Sequence, residues 1–229
     1  MQAIILAGGK GKRFQPYSLV LPKPLIPIKD KPIMEIIIRQ LARFGITDIT
    51  ISTGYLSELI EAYFGDGSRF GVRIIYSKED VPLGTIGPLT LLDNLDDSFF
   101  VLNGDTLTDM NFLDLLNSHN KSGSPLTIAS FPKPVKIDLG VLELDEKKRL
   151  IDYVEKPELK YRVSMGIYVL NKSVLSRLTP GQYFDFPSLV KMLIAANAGI
   201  NVYEFSGIWH DLGSIDNYEI ALKDVDRVM

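Results

Sequence analysis

The apolar run Ala3-Ile4-Ile5-Leu6-Ala7 constrains this chain more than any other stretch. It is short enough for a strand buried on both faces. It runs straight into Gly8, Gly9 and Gly11, then into the cations Lys12 and Arg13. A further cation, Lys23, follows inside Pro22-Lys23-Pro24. A buried strand that opens into a glycine-rich turn lets an anion approach backbone N–H groups closely. Arg13 and Lys23 add fixed positive charge beside that turn, so the expected ligand is a polyphosphate. The glycines alone do not specify which one. The dinucleotide fingerprint needs a third glycine where Phe14 stands, and no Gly-Lys-Ser/Thr closes a P-loop.

The rest of the chain alternates between two periods. Residues 32–44 carry Ile33, Ile36, Ile37, Leu41 and Phe44 at helical spacing, and Gly45 ends the run. Strands are expected at Asp48–Thr53, Val72–Tyr76, Phe99–Asn103 and Leu126–Phe131. Helices are expected over 57–64, across Leu89–Leu95 and over 111–120. This alternation predicts an α/β fold, a Rossmann-like, mostly parallel sheet with helices on both faces. After Phe131 the rhythm changes. Gly140–Leu144 and Leu150–Val154 read as a hairpin around the charged turn Asp145–Arg149. A strand at Val163–Leu170, a helix over 186–198, a strand at Ile200–Phe205 and a helix at Ser214–Val228 complete the pattern. One domain is expected over 1–229, in two halves of about 1–131 and about 132–229, the second carrying a small β-rich insertion.

Composition excludes several classes. With 229 residues the chain can bury a large core. A net charge of −3 leaves no global basic field for nucleic acid, so the anion site must be local. There is no cysteine, hence no disulfide and no thiolate metal site. No apolar run approaches the roughly 20 residues of a membrane span. The N-terminus does not read as a signal peptide. A cytoplasmic protein without membrane partners is expected; oligomeric state is open, a homodimer included.

The longer pattern L-A-G-G-x-G-x-R-F-x-P, followed by P-K-P-L-x-P-I, resembles the signature loop of the sugar-1-phosphate nucleotidyltransferases. Lys12 and Phe14 depart from that signature, which usually has Thr or Ser and then Leu. The resemblance implies transfer of a nucleotidyl group from an NTP to a sugar 1-phosphate, with Mg²⁺ as cofactor and pyrophosphate as second product. It implies roles in nucleotide-sugar and polysaccharide biosynthesis. Pro82-Leu83-Gly84-Thr85-Ile86-Gly87-Pro88-Leu89 looks most like the base-recognition segment of mannose- and heptose-1-phosphate guanylyltransferases, so GTP is the expected nucleotide. UTP, dTTP, CTP or ATP with glucose 1-phosphate is the alternative within the same chemistry. A catalytically inactive nucleotide-sugar-binding regulator is the alternative outside it.

The rule that open α/β sheets bind ligands beyond the carboxyl ends of their strands selects the remaining candidates. Asp105, in Asn103-Gly104-Asp105, follows a buried strand and is placed to hold a divalent cation. By itself an aspartate here is more often a turn residue that caps the next segment. Asp211, in Trp209-His210-Asp211-Leu212-Gly213, resembles the family's second metal-binding aspartate, and could also cap the helix starting near Ser214. Catalysis is expected from Arg13, Lys23 and Asp105. Nucleotide contacts are expected from Leu6, Ala7, Gly8, Gly9, Gly11, Lys12, Arg13, Gly54, Gly84, Thr85, Asn103 and Gly104. Thr85 could also cap a helix, and Tyr55 could flank the base or be a surface aromatic. The resemblance assigns sugar and sugar-phosphate contacts to Gly140, Glu155, Lys156, Ser164 and Gly166, with Asp138 held more loosely. His119, on a polar helix end, and His210 form no metal cluster.

Overall fold

The computed structural model describes residues 1–79, 81–213 and 215–228. In chain order, β1 (Gln2–Leu6) is followed by a small hairpin of β2 (Pro27–Ile28) and β3 (Lys31–Pro32). Next come α1 (Ile33–Arg43), β4 (Asp48–Thr53), α2 (Ser57–Phe64), β5 (Arg73–Lys78), β6 (Ser98–Asn103) and β7 (Thr106–Thr108). The second half runs α3 (Phe112–Ser122), β8 (Leu126–Lys136), β9 (Val141–Leu144), β10 (Leu150–Val154) and β11 (Glu158–Asn171). It ends with α4 (Phe186–Ala195), β12 (Asn201–Glu204), β13 (Trp209–Asp211) and α5 (Ile215–Val228). Ser214, the expected start of the last helix, lies outside the described residues.

Seven strands form one sheet in the order β12-β8-β11-β6-β1-β4-β5. All pair in parallel except β11, which is antiparallel to both β6 and β8. The central strands are buried on both sides, and the period of two sorts their side chains. Ala3, Ile5, Phe100, Leu102, Ile167 and Val169 join the core under α1, α2, α3 and α5. Ile4, Phe99, Val101, Tyr168 and Leu170 join the opposite core under α4. Burial on both faces is why these strands read as continuous apolar runs.

Three expectations need correction. The segment Leu89–Leu95 is not an α-helix: a 3₁₀ turn spans Gly87–Leu91, with Pro88 in its first turn, and Asn94 adopts φ +56°. The strand expected to stop at Phe131 continues to Lys136, paired with the early part of β11. Pro132 and Pro134 lie opposite Arg162 and Lys160 in that ribbon, where the strands have left the body of the sheet. His119 lies in the last turn of α3, as expected, but its side chain faces inward rather than a polar surface. It is 2% exposed, with Nδ1 2.8 Å from Thr127 Oγ1 and Nε2 2.8 Å from Asn171 Oδ1.

Candidate active site

The carboxyl ends of β1, β4, β5 and β6 share one edge of the sheet, because the register aligns Leu6 with both Ser52 and Asn103, and Ser52 with Ser77. A cavity of about 460 Å³ opens there. Of the residues expected to hold a nucleotide, all but Gly54 line it, as do Lys23 and Asp105. Gly54 lies behind the loop instead: a Cβ on it would sit 3.2 Å from the Gly8 carbonyl oxygen. Tyr55 donates its hydroxyl to the Leu19 carbonyl at 3.2 Å and does not line the cavity.

The glycine loop is shaped by its neighbours. Gly11 takes the left-handed conformation, φ +58°, that L side chains rarely adopt, and starts the short turn Lys12–Phe14. Ser18 Oγ donates to its carbonyl at 2.8 Å. A Cβ at Gly11 would press to 3.3 Å from the Lys23 Cβ, so the loop and Lys23 are in contact. Gly104 N–H donates to the Leu6 carbonyl at 3.0 Å, which brings Asp105 beside β1.

Two carboxylates from distant positions meet at this edge. β7 pairs antiparallel with β13, placing Asp211 opposite Thr106. Leu212 N–H donates to the Asp105 carbonyl at 3.0 Å. Lys23 Nζ forms an ion pair with Asp105 Oδ2. A Cβ on Gly213 would lie 2.8 Å from Arg13 Nη2 and 3.0 Å from each Asp211 carboxylate oxygen, so Arg13 and Asp211 flank the same glycine. Burial pushes the Asp211 carboxyl above the usual range, and the charge of Asp105 adds to that shift. Lys23, Arg13 and Lys133 pull it back. Two partly desolvated carboxylates that repel each other fit a hard divalent cation; Mg²⁺ is commonly bound through one or two carboxylates plus phosphate oxygens. Among the described residues, no group of three or more His, Cys, Asp and Glu forms a metal site of its own.

The other end of the cavity is built by Glu79, Pro82, Gly84, Thr85 and Pro88. Glu79 lines it, a position that sequence reasoning missed. Its Oε2 accepts from the Leu83 N–H at 2.8 Å, and its Oε1 lies against Gly8. Burial raises its pKa, opposed by the Leu83 N–H. Thr85 does not cap a helix of its own; its Oγ1 accepts from the Phe186 N–H at 2.8 Å, at the start of α4.

The expected sugar contacts are more dispersed. None of Gly140, Glu155, Lys156, Ser164 and Gly166 lines the cavity. Gly166 comes nearest: it has φ +72°, and a Cβ there would strike the side-chain amide of Asn103, which does line it. The register of β11 shifts between Ser164 and Tyr168, so a bulge turns this strand at the edge of the site. Ser164 Oγ donates to Tyr168 Oη at 3.1 Å. Gly140 packs under the Tyr153 hydroxyl, which donates to Glu155 Oε2 at 2.8 Å. Lys156 has a left-handed backbone, φ +46°, and Asp138 is exposed. His210 Nε2 lies 2.9 Å from Asp224 Oδ2, a tie between β13 and α5.

Comparison with known proteins agrees with this architecture. A family model described as nucleotidyl transferase matches residues 2–227. A UTP–glucose-1-phosphate uridylyltransferase of Synechocystis sp. is 33% identical, over 98% of this chain and 63% of that protein. A mannose-1-phosphate guanyltransferase of Aspergillus oryzae is 34% identical, over 93% of this chain and 61% of that protein. The chain thus spans about three-fifths of the length of these curated relatives. Among solved structures, HddC from Yersinia pseudotuberculosis, complexed with GMP-PN, superposes with a TM-score of 0.74 at 23% identity, covering 98% of this chain and 99% of that one.

Proposed function

This chain belongs to the nucleotidyl transferase family, and on that premise we propose that it transfers a nucleotidyl group from GTP to a sugar 1-phosphate, mannose or a heptose. An oxygen of the sugar 1-phosphate attacks the α-phosphorus. The bond from that phosphorus to the α–β bridging oxygen breaks, and pyrophosphate leaves. The nucleophile is already anionic, so no general base is needed, and the obstacle is charge. The observation that carries the reading is the convergence of Arg13, Lys23 and Asp105 in one cavity, with Asp211 beside Arg13 across the cavity-lining Gly213. Backbone N–H groups of the glycine loop, Arg13 and Lys23 hold the triphosphate and offset charge that grows in the transition state. Asp105 and Asp211 would hold Mg²⁺, which supplies further charge neutralisation on the phosphates when bound. Residues 1–131 form the nucleotide half and 132–229 the sugar half, where Lys156 meets the sugar phosphate and Glu155 the sugar hydroxyls.

Two features support guanine. The segment Leu83–Leu89 resembles that of guanylyltransferases, and Glu79 offers a carboxylate at the base end. Guanine presents two neighbouring donors, N1–H and N2–H₂, to such an acceptor, whereas adenine and the pyrimidines pair a donor with an acceptor there. The uridylyltransferase relative favours a second reading, UTP with glucose 1-phosphate. Pyrophosphate release across a panel of NTPs and sugar 1-phosphates tests both. Release with GTP and mannose or heptose 1-phosphate is expected. Preference for UTP would overturn the choice of base, and no release with any pair would overturn the reaction.

A further inference from the structure

The segment 181–186 lies far along the chain from residues 83–90, yet the two backbones are stitched together. Phe184 N–H donates to the Leu83 carbonyl at 2.9 Å, and the Phe184 carbonyl accepts from Ile86 N–H at 2.9 Å and Gly87 N–H at 3.0 Å. Thr90 Oγ1 accepts from Gly181 N–H at 3.1 Å, and the Thr85–Phe186 bond described above closes the other end. The approach leaves no room for side chains at Gly84 and Gly87. A Cβ on either would lie 2.6 Å from a carbonyl oxygen, that of Phe184 or Gln182 respectively. These two glycines of the L-G-T-x-G-P-L pattern are therefore needed to seat the second segment.

What the second segment delivers is Tyr183. Its neighbour Phe184 packs against the α4-side core, while Tyr183 lines the cavity with Pro82, Thr85 and Pro88 and is 64% exposed. It is the one aromatic ring among the described cavity-lining residues. It stands with the base-end segment, whereas the cations Arg13 and Lys23 gather beside Asp105 and Gly213. We propose that Tyr183 supplies the ring face on which the nucleotide base stacks. The inference rests on the nucleotide reading above. Stacking uses the ring and not the hydroxyl, and it makes no demand on the phosphates.

Calorimetric titration with GTP and with inorganic triphosphate, each in Mg²⁺ buffer, tests this on the wild type, Tyr183→Phe and Tyr183→Ala. Because the side chain is largely exposed, unchanged thermal unfolding is expected for both variants. Tyr183→Ala should weaken GTP binding on the order of 10-fold, within the range measured for base–aromatic stacking. Tyr183→Phe should stay within about twofold of the wild type, and inorganic triphosphate should bind all three alike, since the hydroxyl and the phosphates take no part. Wild-type GTP affinity in Tyr183→Ala overturns the proposal. So does a Tyr183→Phe as weak as Tyr183→Ala, which assigns the effect to the hydroxyl, or an equal loss for triphosphate, which assigns it to loop damage. Binding is read without turnover, so a wild type that releases no pyrophosphate would sink the proposed reaction and leave this test standing.

Discussion

The carboxyl edge of β1, β4, β5 and β6 and the arm formed by residues 132–162 are built on opposite principles. The edge presents backbone and short side chains fixed from below by β1, β4 and β6, whose apolar residues are nearly all buried. The arm exposes Val135, Leu139, Leu142, Leu144, Leu150, Ile151, Tyr153, Val154, Leu159 and Tyr161, and none of its residues belongs to either core. Isolated two-stranded ribbons are marginal in water. Rigidity therefore resides at the phosphate end, and three of the residues assigned to the sugar, Gly140, Glu155 and Lys156, sit on the part of the fold with least to hold it, while Ser164 and Gly166 lie where β11 enters the sheet. Phosphate geometry should depend on the core, and sugar affinity on the arm.

That contrast can be broken in graded steps. Phe100, fully buried in β6, should cost about 3–5 kcal/mol when truncated to Ala. Leu144→Ala in the arm should cost less than about 0.5 kcal/mol. Equal losses in urea unfolding would erase the distinction. Lys156→Ala should raise KM for the sugar 1-phosphate about 10- to 100-fold, the loss of a hydrogen bond to a charged group. KM for the NTP and the melting temperature should hold. A rise confined to the NTP would remove Lys156 from the sugar site. Glu79→Gln should lower the preference for GTP over other NTPs about 10-fold, measured as a ratio of kcat/KM values, since a single wrongly paired contact is worth roughly that factor. An unchanged ratio would take Glu79 out of base selection.

The smallest effect has an unusual sign. The Asp211 carboxyl titrates above the 3.8 of a free aspartate. The folded state then holds its proton more tightly than the unfolded state. Stability falls as pH rises from 3.8 through the raised value, and at neutral pH the charged form burdens the fold. Asp211→Asn should therefore raise Tm at pH 7 while lowering turnover. A drop in Tm would show that the partners of the carboxylate outweigh its burial.

The legible parts of the sequence were those where local pattern and burial coincide. Ala3–Ala7 and Phe99–Asn103 read as buried strands because both faces are covered, and the glycine loop could only follow such a strand. The meeting of Asp105 with Asp211 was not legible from the residues themselves. It depends on β7 and β13, three residues each, too short to leave a period. Only the family resemblance anticipated it. The ribbon beyond Phe131 was hidden by Pro132 and Pro134, which interrupt a strand pattern without ending the strand. Glu79 and Tyr183 carry no local signal: a single polar residue after a strand and a tyrosine in a loop acquire meaning only when Gly8, Leu83 and Phe184 are packed around them.

Convergence of charge at the strand ends is tested most directly by the turnover of Asp105→Ala, measured as pyrophosphate release with GTP and the preferred sugar 1-phosphate, alongside its unfolding curve. A fall of about 10²–10³-fold with the fold intact is expected, the usual loss when one electrostatic contact to a transition state is removed. Turnover within a few-fold of the wild type would contradict the role given to this edge of the sheet.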